Sequence, residues 1–344
     1  MTLAKTPASP RPTIEDVATL ARVSRSTVSR YLNGGDHVSS QAAQRIADAI
    51  AVTGYRANAH ARSLASSSSR TAVFLLTDTM ASLFEDLNFA GLVESCSTCL
   101  SDKGWSLVMM MASSPAEQER ALAYITAGHV DGVMLFSLSD EDLEFASNLV
   151  AAGVRTVACG APLGAPDDLK IVMADDFAGA QEATRYLLGP CGCTRVAHVS
   201  GPAHSGGGQR RLAGYRQAIS EAALNEVVIA GDYSAQSGRH AAQHVRDCGA
   251  DGVFCANDAT ALGLIEALLE TGVRVPEEVQ VIGFDDSPRA AEKTPALTTL
   301  SQPFGRIAQA MVDYVVDATD AASAPSVHVF PTRLVERATT RRIR

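Results

Sequence analysis

The sequence predicts a small all-α head followed by a larger α/β body built from doubly wound parallel sheets. Apolar residues recur at helical spacing up to residue 54, whereas from Thr71 short apolar runs alternate with helical segments. Strands separated by helices form βαβ units with right-handed crossovers. The runs are too many for one simple sheet, so we expect two lobes whose facing strand ends bound a ligand site.

Hydroxyl side chains mark where the head's helices begin. The first helix is expected to follow Thr13, the second Ser24, and the third Ser39 or Ser40. The residues expected to face the core are Ile14, Val17, Ala18 and Ala21; Val28, Tyr31 and Leu32; and Ala42, Ile46, Ala49, Ile50 and Val52.

The body follows as alternating strands and helices. Its predicted strands are 72–77, 106–111, 132–136, 154–158, 171–173, 195–200, 227–231, 252–256 and 279–284. Its predicted helices lie near 85–103, 115–128, 140–152, 177–189, 208–224, 236–249, 258–272 and 304–318.

Composition and turn residues divide the chain into four segments. A proline-containing stretch is expected to be a disordered leader, and the serines at 66–69 indicate a flexible linker. The expected segments are 1–12 (leader), 13–56 (head), 57–69 (linker) and 70–340 (core).

Charge separates the head from the body. Residues 1–70 carry a net charge of +5, and the remaining residues carry −14, which together give the net charge of −9. This asymmetry favours an anionic partner for the head. The sequence shows no secretory signal and no apolar run long enough to span a membrane, and its seven irregularly spaced cysteines suit a reducing compartment. We therefore expect a cytoplasmic protein without a membrane partner.

The head has the layout of a helix-turn-helix, whose second helix enters the major groove of DNA. Arg25 or Arg30 can form two hydrogen bonds with guanine, while Ser24, Ser29 and Ser39 suit phosphates. The alternative is a plain helical hairpin whose arginines form a solvated face.

The motif DVA-LA-VS-TVSRYLN and the segments VDGVML, RLAGYR, FCANDATALG and VIGFDD resemble the LacI/GalR family of bacterial transcriptional regulators. The resemblance covers nearly the whole chain. It implies that Arg25 and Ser26 read outer operator bases and that Arg30 contacts a guanine. It also implies a hinge helix in the minor groove, where Leu64 wedges a base step. The candidate DNA-contacting residues are Thr13, Ser24, Arg25, Ser26, Thr27, Ser29, Arg30, Asn33, His37, Asn58, Ala61 and Leu64.

For the body, the resemblance implies a core like that of periplasmic binding proteins, with two lobes joined by three crossovers. The amino-terminal lobe is expected at about 71–173 and 303–325, and the carboxy-terminal lobe at about 174–302 and 326–340. The candidate ligand contacts are Phe84, Arg211, Tyr233, Asp258 and Asp285. As alternatives, Arg211 and Asp285 form a structural ion pair, Asp258 caps a helix, and Phe84 belongs to the core.

These observations predict a homodimeric DNA-binding regulator, expected to be a repressor. It would bind a near-palindromic operator on double-stranded DNA and respond to a small sugar or nucleoside. A solute receptor and an α/β enzyme share the predicted core and remain as alternatives. We expect no catalytic residues, no cofactor and no metal, because no catalytic motif and no paired zinc-ligand spacing occur.

Overall fold

The structure is a computed structural model that describes residues 12–32, 38–55, 68–77, 87–136, 138–160, 164–317 and 326–343. The chain divides into two compact units, the head Met1–Ser69 and the core Arg70–Arg344. No helix within the described ranges is both long and apolar enough to cross a bilayer.

In residues 12–32 and 38–55 the head has three helices around one apolar cluster. Val17, Val28 and Ile46 come from different helices and are fully buried in it. The expectation that Val52 faces this cluster is wrong, because that side chain is 77% exposed. Helical geometry places Val52 roughly 120° around its helix from Ile46, outside the apolar stripe. The helices are α1 (Ile14–Ala21), α2 (Arg25–Leu32) and α3 (Ser40–Thr53).

A hydroxyl side chain caps the first turn of each head helix. Thr13 forms a capping box with Asp16 at the start of α1. The Ser24 hydroxyl accepts a hydrogen bond from the Thr27 amide at 3.1 Å, and Ser39 caps α3. Such caps satisfy amides that have no partner within the helix. The predicted starts of the three helices are therefore confirmed.

The first lobe of the core is a parallel sheet with helices on both faces. Leu92 and Met311 pack against one face beside Phe74, and Leu149 packs against the other beside Leu75. Its strands in the described residues are β1 (Thr71–Leu76), β2 (Ser106–Met111), β3 (Gly132–Phe136), β4 (Arg155–Cys159), β5 (Lys170–Ala174) and β11 (Val327–Phe330), in the order β11-β5-β4-β3-β1-β2. Its helices are α4 (Leu87–Asp102), α5 (Pro115–Tyr124) with a π-helical turn Ile125–His129, α6 (Leu143–Ala151) after a 3-10 turn Asp140–Asp142, and α12 (Phe304–Val316).

The second lobe repeats this plan around a smaller parallel sheet. Leu187 and Ile219 pack beside Phe254 on one face, and Val245 and Leu264 lie on the other. Its strands in the described residues are β6 (Val196–Val199), β7 (Val228–Ile229), β8 (Gly252–Cys255) and β9 (Gln280–Ile282), in the order β7-β6-β8-β9. Its helices are α7 (Asp176–Leu188), α8 (Gly206–Glu221), α9 (Ala235–Cys248), α10 (Asp258–Glu270) and the short α11 (Pro288–Glu292).

The chain passes between the lobes from β5 to α7, from β10 (Thr299–Ser301) to α12, and from β11 to β12 (Arg333–Val335). The two-lobed fold with doubly wound sheets is thus confirmed. One expectation is wrong: β11 does not belong to the second lobe with the rest of 326–340, because it pairs in parallel with β5 in the first sheet. The sequence of a four-residue strand does not indicate which strand it pairs with. Here β11 pairs with β5, whose other edge is already bonded to β4.

His198 lies in β6 and is fully buried between two aromatic rings. Its ring stacks on Tyr215 and Phe254, with centroid distances of 5.2 Å and 4.8 Å. Its Nδ1 lies 2.9 Å from the carbonyl oxygen of Phe254, so Nδ1 carries the hydrogen and donates it. Its Nε2 is buried and has no hydrogen-bond partner among the residues that the structure describes. Burial lowers the pKa of His198 to about 4, so the imidazole is neutral.

We predict that His198→Phe removes a pH-dependent loss of stability. Below the ordinary pKa of 6.5, the unfolded chain binds a proton that the native His198 does not bind. The free energy of unfolding of the wild type should therefore fall, relative to the variant, by about 1.4 kcal/mol per pH unit from pH 6.5 towards 4. Urea denaturation of both proteins between pH 7.5 and 5 measures this difference.

The comparison between the two proteins is needed because Asp258 titrates in the opposite sense. Burial raises the pKa of Asp258 to about 6, so the native state holds a proton there that the unfolded state releases. This contribution stabilises the native state as the pH falls, and it cancels between wild type and variant. A difference between the two proteins that does not vary with pH would contradict the prediction for His198.

Candidate functional site

The start of α2 presents linked hydroxyls and one exposed arginine. Ser24 Oγ lies 2.7 Å from Ser26 Oγ and 2.8 Å from Thr27 Oγ1. Arg25 is the first residue of α2, and its Nε lies 3.3 Å from Glu15 Oε1. A cation at this position faces the positive end of the helix dipole, which is unfavourable in the free head. The same position suits contact with an anionic partner.

The remaining head candidates occupy separate places. Arg30 is exposed in the last turn of α2, and Ser29 is half-buried. The Thr13 hydroxyl donates to the Asp16 carboxylate at 2.8 Å, and hydrogen bonds from the backbone and side chain of Thr13 lower the pKa of Asp16. The predicted site residues Asn33, His37, Asn58, Ala61, Leu64 and Phe84 lie outside the described residues.

Arg211 lies at the centre of a buried polar cluster in the second lobe. Its Nε donates to Asp176 Oδ1 at 2.8 Å, and its Nη1 donates to the carbonyl oxygen of Ala256. Nη1 also lies 3.7 Å from Asp285 Oδ1. The guanidinium carbon stands 3.8 Å from the centroid of the Phe284 ring. The alternative of an ion pair between Arg211 and Asp285 is therefore confirmed, with Asp176 as the closer carboxylate.

The charge of Arg211 is retained because carboxylates surround it. Burial by itself lowers the pKa of this arginine, whereas the attraction and hydrogen bond of Asp176, and the attraction of Asp285, raise it above the ordinary value. A buried charge without such partners lowers the stability of the folded protein by about 3–5 kcal/mol. The cluster therefore holds a cation next to carboxylates at the carboxyl end of the second sheet.

Asp258 follows β8 and is almost fully buried. Its Oδ2 accepts a hydrogen bond from the Ser287 amide at 2.7 Å, and its Oδ1 accepts one from Thr299 Oγ1 at 2.5 Å. The alternative that Asp258 caps α10 is wrong, because the preceding Asn257 is the cap and accepts from the Thr260 amide. Asp258 instead ties the loop after β9 to β10.

The loop after β9 has an unusual backbone beside an open cavity. Asp285 and Asp286 have φ angles of 125° and 60°, a region that non-glycine residues rarely occupy. Gln302 Nε2 donates to Asp285 Oδ1 at 2.6 Å, and Arg337 Nη2 donates to Asp286 Oδ1 at 2.6 Å. A cavity of about 300 Å³ adjoins this loop. It is lined from both lobes by Ala90, Gly91, Glu94, Asp285, Asp286, Ser287, Pro288, Ser301, Gln302 and Phe304.

Tyr233 follows β7 and closes another side of the cluster. Its hydroxyl lies 3.0 Å from Ser205 Oγ, the cap of α8, and its ring centroid lies 5.9 Å from the Arg211 guanidinium carbon. The ring lies against Gly201, where a Cβ would come within 2.5 Å of it. Burial raises the pKa of Tyr233, so this hydroxyl remains protonated at neutral pH.

Four of the five predicted ligand residues thus lie at one end of the second sheet, because Tyr233, Asp258 and Asp285 follow its strands and Arg211 reaches it from α8. The sequence did not identify Asp176, which holds Arg211. Asp175 and Asp176 open α7, and an aspartate at a helix start is ordinarily explained as a cap. Only the contact with Arg211 of α8 distinguishes Asp176 from Asp175, which is the cap of α7.

We predict that Asp176→Ala lowers the free energy of unfolding by about 3–5 kcal/mol, because it leaves the Arg211 charge buried with an incomplete set of partners. Chemical denaturation monitored by circular dichroism measures the loss. Glu221→Ala is the matched control, since Glu221 pairs with Arg185 between the same two helices but at the surface. Equal losses in both variants would contradict the role of Asp176.

Comparison with known proteins places the chain among regulators. Residues 13–58 match the family described as bacterial regulatory proteins, lacI family, and residues 188–340 match the periplasmic binding protein-like domain. The transcriptional regulator CelR of Thermobifida fusca is 36% identical over 95% of this chain and 98% of its own length. The repressor PurR of Salmonella paratyphi A is 31% identical over 94% of this chain and 96% of its own.

Solved structures agree with these matches. The lac repressor dimer bound to operator is 26% identical, with a TM-score of 0.85 over 96% of this chain and 100% of that one. A complex of CelR with cellobiose is 34% identical, with a TM-score of 0.73 over the same shares. A helix-turn-helix head on a two-lobed core defines a DNA-binding transcriptional regulator rather than an enzyme. The chain belongs to the lacI family of bacterial regulatory proteins.

Proposed function

We propose that this regulator is a repressor that binds a near-palindromic operator as a homodimer in the cytoplasm. A single helix-turn-helix head reads one half-site, so a symmetric operator requires two heads. The lac repressor structure, a dimer on its operator, supports this arrangement. The base-reading side chains are Arg25, Ser26 and Arg30 at the exposed side of α2, and Ser24, Thr27 and Ser29 position α2 on the backbone.

The effector binds between the lobes, next to the Arg211 cluster. The observation that carries this assignment is the cavity of about 300 Å³ lined from both lobes beside Asp285. Closure around a ligand there changes the angle between the lobes, because three crossings join the lobes within the described residues. Coupling of about 1–3 kcal/mol between the ligand and the DNA is typical of such regulators. The segment 57–69 joins the core to the head and carries that coupling.

The charges around the cavity favour a neutral polyhydroxy effector. Three carboxylates, Glu94, Asp285 and Asp286, line the cavity, and two guanidinium groups, Arg211 and Arg337, pair with Asp285 and Asp286. The region therefore carries net negative charge, and an anionic ligand meets repulsion. Two donor nitrogens of Arg211 are already bonded to protein oxygens, which leaves fewer donors for a carboxylate of a ligand. Hydroxyl groups suit both the carboxylates and Gln302, and the CelR complex with cellobiose supports a sugar.

We predict that the purified protein binds a neutral sugar more tightly than its anionic counterpart. Matched pairs are cellobiose with cellobionate, and glucose with glucose 6-phosphate, with inosine as a nucleoside. Isothermal titration calorimetry measures affinity, and fluorescence anisotropy on DNA upstream of the protein's own gene measures the effect on DNA binding. Tighter binding of an anionic ligand would contradict the inference that the cavity repels anions. Binding of inosine and of none of the sugars would show that the effector is a nucleoside rather than a sugar.

We predict that Arg25→Ala relaxes the preference at one base pair of each half-site. The lost bidentate contact should cost about 1–3 kcal/mol on the preferred sequence and little on others. Anisotropy with duplexes that differ at single positions measures this pattern. An equal loss on every duplex would show that Arg25 contacts phosphate rather than a base.

A further inference from the structure

We infer that Glu15 is a positioning residue that orients Arg25 for base reading and makes the head more selective for its operator. The inference rests on the proposed role of Arg25. It assigns a function to an acidic residue on a surface that binds a polyanion. The two side chains come from different helices, α1 and α2, so their contact is not a by-product of helical spacing.

The contact involves one edge of the guanidinium group. Glu15 Oε1 lies 3.3 Å from Arg25 Nε, and the Arg25 side chain remains 72% exposed. Guanidinium carries five N–H donors, of which four are on Nη1 and Nη2. A carboxylate at Nε therefore leaves the terminal nitrogens available as a pair. Glu15 thus selects the end-on approach of Arg25 to the O6 and N7 acceptors of a guanine.

Holding Arg25 in this direction lowers the entropy cost of binding a base. A long side chain that is immobilised only on binding loses affinity of about three- to tenfold. An exposed ion pair contributes little to folding, so the effect of Glu15 is expected in recognition rather than in stability. The position of Arg25 supports this, since a cation at the start of α2 is unfavourable until an anion approaches.

Glu15 is also expected to lower the affinity of the head for non-operator DNA. Non-specific binding depends mainly on cation–phosphate attraction. A carboxylate beside Arg25 offsets that attraction on any sequence, whereas the oriented guanidinium gains hydrogen bonds only on the preferred base. Removal of Glu15 should therefore raise non-specific affinity and lower preference at one position, a combination that a purely structural role does not produce.

The experiment compares base preferences of full-length variants. Duplexes selected from a palindromic library with randomised half-sites identify the preferred sequence, and anisotropy measures affinities on single-position changes. The variants are Glu15→Gln, Glu15→Asp, Arg25→Ala and the double variant of Glu15→Gln with Arg25→Ala. Asp48→Asn is the matched control, because Asp48 is an exposed acid of the same head that bonds Gln44. Thermal melting establishes that each variant is folded.

We expect Glu15→Gln to weaken the preference at the Arg25 position by about three- to tenfold and to leave other positions unchanged. Glu15→Asp keeps the charge but shortens the reach, so it should weaken the same position without raising non-specific affinity. The double variant should match Arg25→Ala at that position. Asp48→Asn should leave all base preferences unchanged.

Two results would overturn the inference. An unchanged preference at the Arg25 position in Glu15→Gln, or an equal loss at all positions, would exclude positioning by Glu15. If Arg25→Ala changes no position, the proposed base reading by Arg25 fails, and the role of Glu15 fails with it. The single Arg25 variant therefore distinguishes failure of the proposed function from failure of the inference.

Discussion

The ion pair between Arg211 and Asp176 stabilises the packing of α8 against α7 at the carboxyl end of the second sheet. The two residues belong to α8 and α7. These helices can pack closely because Gly214 has no side chain, and a Cβ there would lie 2.3 Å from the Phe177 carbonyl oxygen. This close approach brings the guanidinium to the carboxylate in an environment where an unpaired charge is costly. The same cation then attracts Asp285 across the sheet, so the packing of two helices also places a carboxylate beside the cavity between the lobes.

Both proposed binding regions contain residues that are locally unfavourable. Arg25 sits at the positive end of a helix dipole, and Asp285 and Asp286 have backbone angles that side chains rarely allow. Asp258 is buried, with a raised pKa. Functional sites often break local rules that the rest of a fold obeys. Here each residue has a compensating partner: Glu15 for Arg25, Gln302 for Asp285, Arg337 for Asp286, and two hydrogen bonds for Asp258.

The sequence predicted most elements and four residues that lie together at one end of the second sheet. The family resemblance suggested Tyr233, Asp258 and Asp285 as ligand contacts, and they lie together because parallel strands end at one edge of a sheet. Sequence reasoning failed with Asp176, whose place at a helix start has an ordinary explanation, and with Glu15, whose contact joins two helices. The lobe of Val327–Phe330 was misassigned for a similar reason, since a short strand does not encode its neighbour.

The sequence by itself determined the helices of the head, the alternation of strands and helices, and the basic head on an acidic body. These features depend on local periodicity, capping and charge, which adjacent residues specify. Tertiary structure alone decided which carboxylate holds Arg211, which groups bond Asp258, and which sheet receives β11. Those outcomes depend on contacts between residues far apart in the chain, because burial and distance set the energy of a charge or a hydrogen bond.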